Sequence, residues 1–105
     1  MRRITLHLLV SMIKSWNHKG LKKFFVTEGK DTAGINLEHK EKIETILQIL
    51  NIATNPIQLD MPGFKFHKLK GKLKNVYSVT IRANWRIIFK FNGKDAILVD
   101  YVDYH

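Results

Sequence analysis

Cysteine is absent, which excludes disulfides and thiolate catalysis and removes the usual cysteine-based structural zinc site. Five histidines remain, at positions 7, 18, 39, 67 and 105, without the close spacing of a motif such as H-E-x-x-H, so neither a metal nor another cofactor is expected. Internal repeats, low-complexity tracts and a phosphate-binding G-x-x-x-x-G-K-S/T loop are missing too. No apolar run approaches the roughly 20 residues that cross a membrane. The stretch after Arg2 and Arg3 imitates a signal peptide, but it is short, interrupted by His7 and lacks a clear small-residue cleavage pattern. A cytoplasmic protein without membrane contact is expected. Met12 can itself be a translation start, which makes residues 1–11 an expected extension and 12–105 the single domain that a chain of 105 residues supports.

The most informative scarcity is of negative charge. The whole chain carries a formal +9, and residues 64–92 contain no acidic side chain. Between Asp60 and Asp95 lie Lys65, Lys68, Lys70, Lys72, Lys74, Arg82, Arg86, Lys90 and Lys94, half of the basic residues of the chain. The lysines crowd the loop 68–74, whereas Arg82 and Arg86 flank a short turn between apolar runs. Such a surface suits a polyanion: arginine presents paired donors to phosphate oxygens, and lysine attracts at longer range. An ordinary solvated basic face or an acidic protein partner would fit the charge as well.

Hydrophobic spacing supplies the frame. Residues 12–16 suit a first short strand, and Asn17 a cap for a helix near His18 with Leu21, Phe24 and Phe25 on its apolar side, ended by Gly29. Asn36 suits the cap of a longer helix to about Thr54, in which Leu37, Ile43, Ile46, Leu47, Leu50 and Ala53 recur three and four apart. Asn55-Pro56 stops it. Phe64 to His67 alternates briefly, Tyr77, Val79 and Ile81 alternate with Ser78, Thr80 and Arg82, and Ile87, Phe89 and Phe91 mark a central strand. Asn92-Gly93 is a hairpin signal before a last strand near 96–102. The order β-α-α-β-β-β-β is α+β, with a strand and two helices packed on a mainly antiparallel sheet.

These residues also make an inventory for RNA self-cleavage, in which a 2′-hydroxyl attacks the adjacent phosphorus. That step needs in-line positioning, a proton acceptor, a proton donor and cations for the developing charge. His67 starts the basic loop, and the chain ends Asp103-Tyr104-His105, an acid, a phenol and an imidazole. Trp85, Phe89 and Phe91 are expected in the core, while Tyr104 is the better candidate for stacking on a base.

Three stretches together, His67-Lys68-Leu69-Lys70-Gly71, then 77–89 (YSVTIRANWRIIF), then Asp100-Tyr101-Val102-Asp103-Tyr104-His105, resemble the HigB toxins of the RelE/ParE superfamily over essentially residues 12–105. The resemblance implies a RelE-like microbial RNase fold that cuts mRNA in the ribosomal A site without a metal, leaving a cyclic phosphate and a 5′-hydroxyl. It also implies a HigA-like helix-turn-helix antitoxin as partner, with operator DNA reached only through that complex. His67, Lys70, Arg82, Arg86, Asp103, Tyr104 and His105 match positions implicated in HigB function. On this reading His67, Lys70, Arg86 and His105 are catalytic, with base and acid unassigned between the two histidines. Asp103 and Tyr104 support them, and Lys68, Lys72, Lys74 and Arg82 hold RNA. Lys68, Lys72 and Tyr77 depart from the family pattern, making the loop more basic. The alternatives are a ParE-like, noncatalytic inhibitor of DNA gyrase and an inactive RNA-binding or operon-regulating module.

Overall fold

The computed structural model describes residues 12–104, so the expectations for residues 1–11 and for His105 lie outside the described residues. Four antiparallel strands, β1 (His67–Lys68), β2 (Tyr77–Arg82), β3 (Trp85–Asn92) and β4 (Asp95–Asp103), lie side by side in chain order, preceded by helices α1 (Lys19–Val26) and α2 (Lys40–Ile52). Among the described residues no helix is long and apolar enough to cross a membrane.

The cap of α1 is His18, not Asn17. Its backbone is extended, and its Nδ1 accepts the Leu21 amide at 2.9 Å, a role sequence preference assigns to asparagine or serine. Leu21 and Phe24 are buried, and Gly29, at φ 85°, turns the chain out of the helix while its amide bonds the Phe24 carbonyl at 2.8 Å. Gly20, an otherwise unfavourable residue inside a helix, is explained by a close approach: a Cβ there would lie 2.6 Å from the Cα of Gly34. The two glycines let the start of α1 rest directly on the following loop.

Asn36 caps as expected, accepting the Glu38 amide, but what it starts is a 3-10 turn, Leu37–His39, that runs on into α2. Leu37 is therefore 67% exposed and falls off the apolar stripe, whereas Ile43, Ile46, Leu47 and Leu50 are completely buried. Asn55 caps a further 3-10 turn, Pro56–Leu59, which ends the helical region.

The sheet differs from expectation at its margins. The first strand is an interrupted one: Ile13 and Trp16 bridge Ala96 and Val99 of β4 in parallel. Nearby, Leu98 sits in a bulge of β4 at φ 55°, and Ser15 Oγ accepts the Leu98 amide at 2.8 Å, satisfying a donor the bulge takes out of the ladder. The alternation at 64–67 shrinks to the two residues of β1, because Lys65 has φ 48°. Between β3 and β4, Asn92 pairs with Asp95, so the turn residues are Gly93 and Lys94, with Gly93 at φ 63°.

Cross-strand partners share a face of a sheet, and that rule sorts the strands. Val79, Ile81, Ile87, Phe89, Val99 and Tyr101 meet Leu21, Phe24 and the α2 stripe in one core. Ser78, Thr80, Arg86, Ile88 and Val102 occupy the other, outer face, by alternation and register.

One core-side feature had no signal in sequence. His39 is 3% exposed, its Nδ1 2.7 Å from the Tyr101 hydroxyl, which also accepts the Asn36 amide at 3.3 Å. The Tyr101 proton is thus best used toward Nδ1, which assigns a neutral ring protonated on Nε2. Burial lowers the His39 pKa below 6.5, Arg82 lowers it further and Glu38 opposes both. Burial also raises the Tyr101 pKa, against the Asn36 hydrogen bond. As pH falls through 6.5, the unfolded chain takes up a proton that the folded chain refuses, so stability drops until the lowered folded pKa is passed. Urea denaturation followed from about pH 7.5 to 5.5 is expected to show a falling midpoint, with a smaller fall in His39→Gln.

Candidate active site

Arg86 is the best-defined cation of the outer face. It stands opposite Thr80 in the β2–β3 ladder, and its Nη1 donates to Thr80 Oγ1 at 3.0 Å. Its guanidinium carbon lies 5.7 Å from the centre of the Tyr104 ring, within the range of a cation–π contact. Its Nε is buried and has no hydrogen-bond partner among the described residues, a property shared with Ser78 Oγ on the same face. Tyr104 is half-exposed, and its amide bonds the Asn84 carbonyl at 2.7 Å, which ties the residue after β4 to the β2–β3 turn.

His67 pairs with Ser78 and so shares the outer face, one strand beyond β2 from Arg86. Strand spacing and rise put the two backbones roughly 12 Å apart. The imidazole is exposed, with Nδ1 at 3.4 Å from the Lys65 carbonyl, a long contact that leaves the ring free to turn.

The basic loop is anchored rather than loose. Leu69 is buried and its amide bonds the Val76 carbonyl at 2.8 Å, while a 3-10 turn at Gly71–Leu73, with Gly71 at φ 70°, reverses the chain. Lys70, Lys72 and Lys74 are exposed around that anchor. Lys68 lies on the other side of β1 from His67, with its Nζ 5.9 Å from the centre of the Tyr77 ring.

Two expected members stand apart. A bulge between Thr80 and Arg82 puts Arg82 opposite Trp85, and its Nη1 pairs with Glu38 at 2.9 Å beside the α2 entry. Both partners are mostly exposed, so the pair contributes little to stability, on the order of 0.5 kcal/mol, yet it occupies the Arg82 guanidinium. Asp103 also registers with Trp85, whose ring lies tilted against Tyr101 with centroids 4.8 Å apart, so Asp103 follows the helix side of the sheet and Tyr104 the outer side. His105, its expected partner, is outside the described residues. The structure therefore gathers Arg86, Tyr104 and His67 on one face with Thr80, which sequence reasoning had not singled out. The signal for Thr80 was the hairpin register, which the one-residue bulge shifts.

Residues 14–105 match the family model described as the RelE-like toxin of type II toxin-antitoxin system HigB. The endoribonuclease HigB of Proteus vulgaris is 43% identical over 94 residues, covering 90% of this chain and 100% of that relative. A crystal structure of a YafQ point mutant from E. coli aligns with a TM-score of 0.47 at 16% identity, over 87% of this chain and 90% of that one.

Proposed function

The chain belongs to the HigB-like toxins of type II toxin–antitoxin systems, in the RelE/ParE superfamily, and from that premise we propose that it is a ribosome-dependent endoribonuclease acting on mRNA. The observation that carries the proposal is Arg86, held between Thr80 and Tyr104 on the outer face that also bears His67. The name of the Proteus vulgaris relative supports the reaction class.

In the proposed step the 2′-oxygen of one nucleotide attacks the adjacent phosphorus and the bond from phosphorus to the 5′-oxygen breaks. A base accepts the 2′-proton and an acid protonates the leaving 5′-oxygen, giving a cyclic phosphate and a 5′-hydroxyl. His67 and His105 are the two proton carriers, in either assignment. Arg86 and Lys70 offset the charge that builds on the phosphorane, and Tyr104 stacks on a base beside Arg86. Lys68, Lys72 and Lys74 gather the RNA backbone, and Arg82 joins them when RNA displaces Glu38. The decoding site of the ribosome supplies the substrate geometry that one small domain, residues 12–105, does not impose alone. A HigA-like helix-turn-helix antitoxin is the inhibitory partner, and operator DNA is reached through it.

Cleavage mapping in a reconstituted translation reaction tests the proposal. Untagged protein is expected to cut inside codons only when ribosomes are present, and folded His67→Ala to cut about 10²–10⁴-fold more slowly. Folded protein that leaves translated mRNA whole but inhibits DNA gyrase would overturn the reading in favour of a noncatalytic toxin.

A further inference from the structure

We infer that Thr80 is a positioning residue for the cleavage reaction, fixing through its hydroxyl the direction in which Arg86 presents its guanidinium. The inference rests on the reading of Arg86 as the group that stabilises the transition state. Thr80 is suited to the task by its own immobility. It is 8% exposed, it stands opposite Arg86 in the β2–β3 register, and its amide donates to the Phe64 carbonyl at 2.7 Å. A β-branched side chain on a strand has few rotamers, so Oγ1 is a fixed acceptor rather than a wandering one.

Arginine needs such a fixture here. Its long side chain otherwise samples many rotamers, and exposed arginines settle that freedom only when substrate arrives. In this site the Nε is already withdrawn from water without a partner among the described residues, Nη1 is tied to Thr80, and the Tyr104 ring centre lies 5.7 Å from the guanidinium carbon. With one end of the fork anchored, Nη2 is left to meet a phosphate oxygen in an orientation set before binding. Packing alone would account for a buried threonine, but not for an acceptor placed 3.0 Å from Arg86 Nη1.

The separating test uses Thr80→Val, which keeps the shape and removes the acceptor, and Thr80→Ser, which keeps the acceptor. Single-turnover cleavage of ribosome-bound mRNA by Thr80→Val is expected to slow about tenfold with the half-saturating ribosome concentration unchanged, since misplacement by a fraction of an ångström acts on the chemical step. Thr80→Ser is expected to recover most of the rate, and Thr80→Val to add no further loss in an Arg86→Ala background. Thermal melts of each variant keep unfolding apart from misplacement. Normal cleavage by Thr80→Val beside crippled Arg86→Ala would overturn the inference alone, as would a fully additive double variant. Normal cleavage by Arg86→Ala would instead remove the reading on which the inference stands.

Discussion

Arg86→Ala is expected to slow mRNA cleavage by about 10²–10³-fold, the loss seen when a preorganised donor to developing charge is removed. Arg86 is the outer-face cation whose direction is set by contacts on several sides, and the face it occupies also carries His67 and Tyr104. Removing it strands Thr80 Oγ1 but creates no buried charge, so the cost in stability is held to roughly 1–2 kcal/mol. Arg86→Lys is expected to recover little, because a lysine ammonium keeps the charge without the planar fork that can bond Thr80 and lie against a ring together. Single-turnover rates, with a thermal melt of the same preparation, check both halves of the prediction.

Phe89→Ala makes the opposite case, a large loss of stability with no direct part in chemistry. Phe89 is completely buried in the middle of β3, stacked beside Tyr77 and edge-on to Phe91, each at 6.0 Å between ring centres. Deleting the ring removes its transfer free energy and leaves a cavity that strands hydrogen-bonded on both sides cannot collapse into, a cost of about 3–5 kcal/mol. Against a total of about 5–15 kcal/mol for a typical domain, that is enough to leave a marginal protein. Urea denaturation is expected to show a much lower midpoint with the slope kept, and the folded fraction is expected to retain its rate per molecule.

The parts of this fold that were legible in sequence are those where one period repeats without interruption. Ile43, Ile46, Leu47 and Leu50 announce α2 because four residues at helical spacing have no other common face, and all four are buried. The β2–β3 alternation likewise placed Val79, Ile87 and Phe89 in the core and Arg86 away from it. Legibility ended where a single residue breaks the count. Lys65 at positive φ cuts β1 short, and the bulge after Thr80 sends Arg82 to Glu38 while Arg86 stays on the outer face. Two arginines that flank one turn and look equivalent in sequence thereby receive different surroundings. His18 and His39 were illegible for another reason: each is used for a specific hydrogen bond, to a helix amide and to Tyr101, and neither composition nor spacing encodes such a partner. Gly20 and Gly34, distant in sequence, are explained only by their contact in space.

The central claim is that the outer face of β1–β3 promotes attack by the 2′-hydroxyl of the RNA on its own phosphate. The measurement that tests it most directly is cleavage of ribosome-bound mRNA carrying a single 2′-deoxynucleotide on the 5′ side of the mapped bond. This bond is expected to survive, while the all-ribose control is cut to a cyclic phosphate and a 5′-hydroxyl. Cleavage of the deoxy-substituted bond at the control rate would contradict the account, because its nucleophile would then have come from elsewhere.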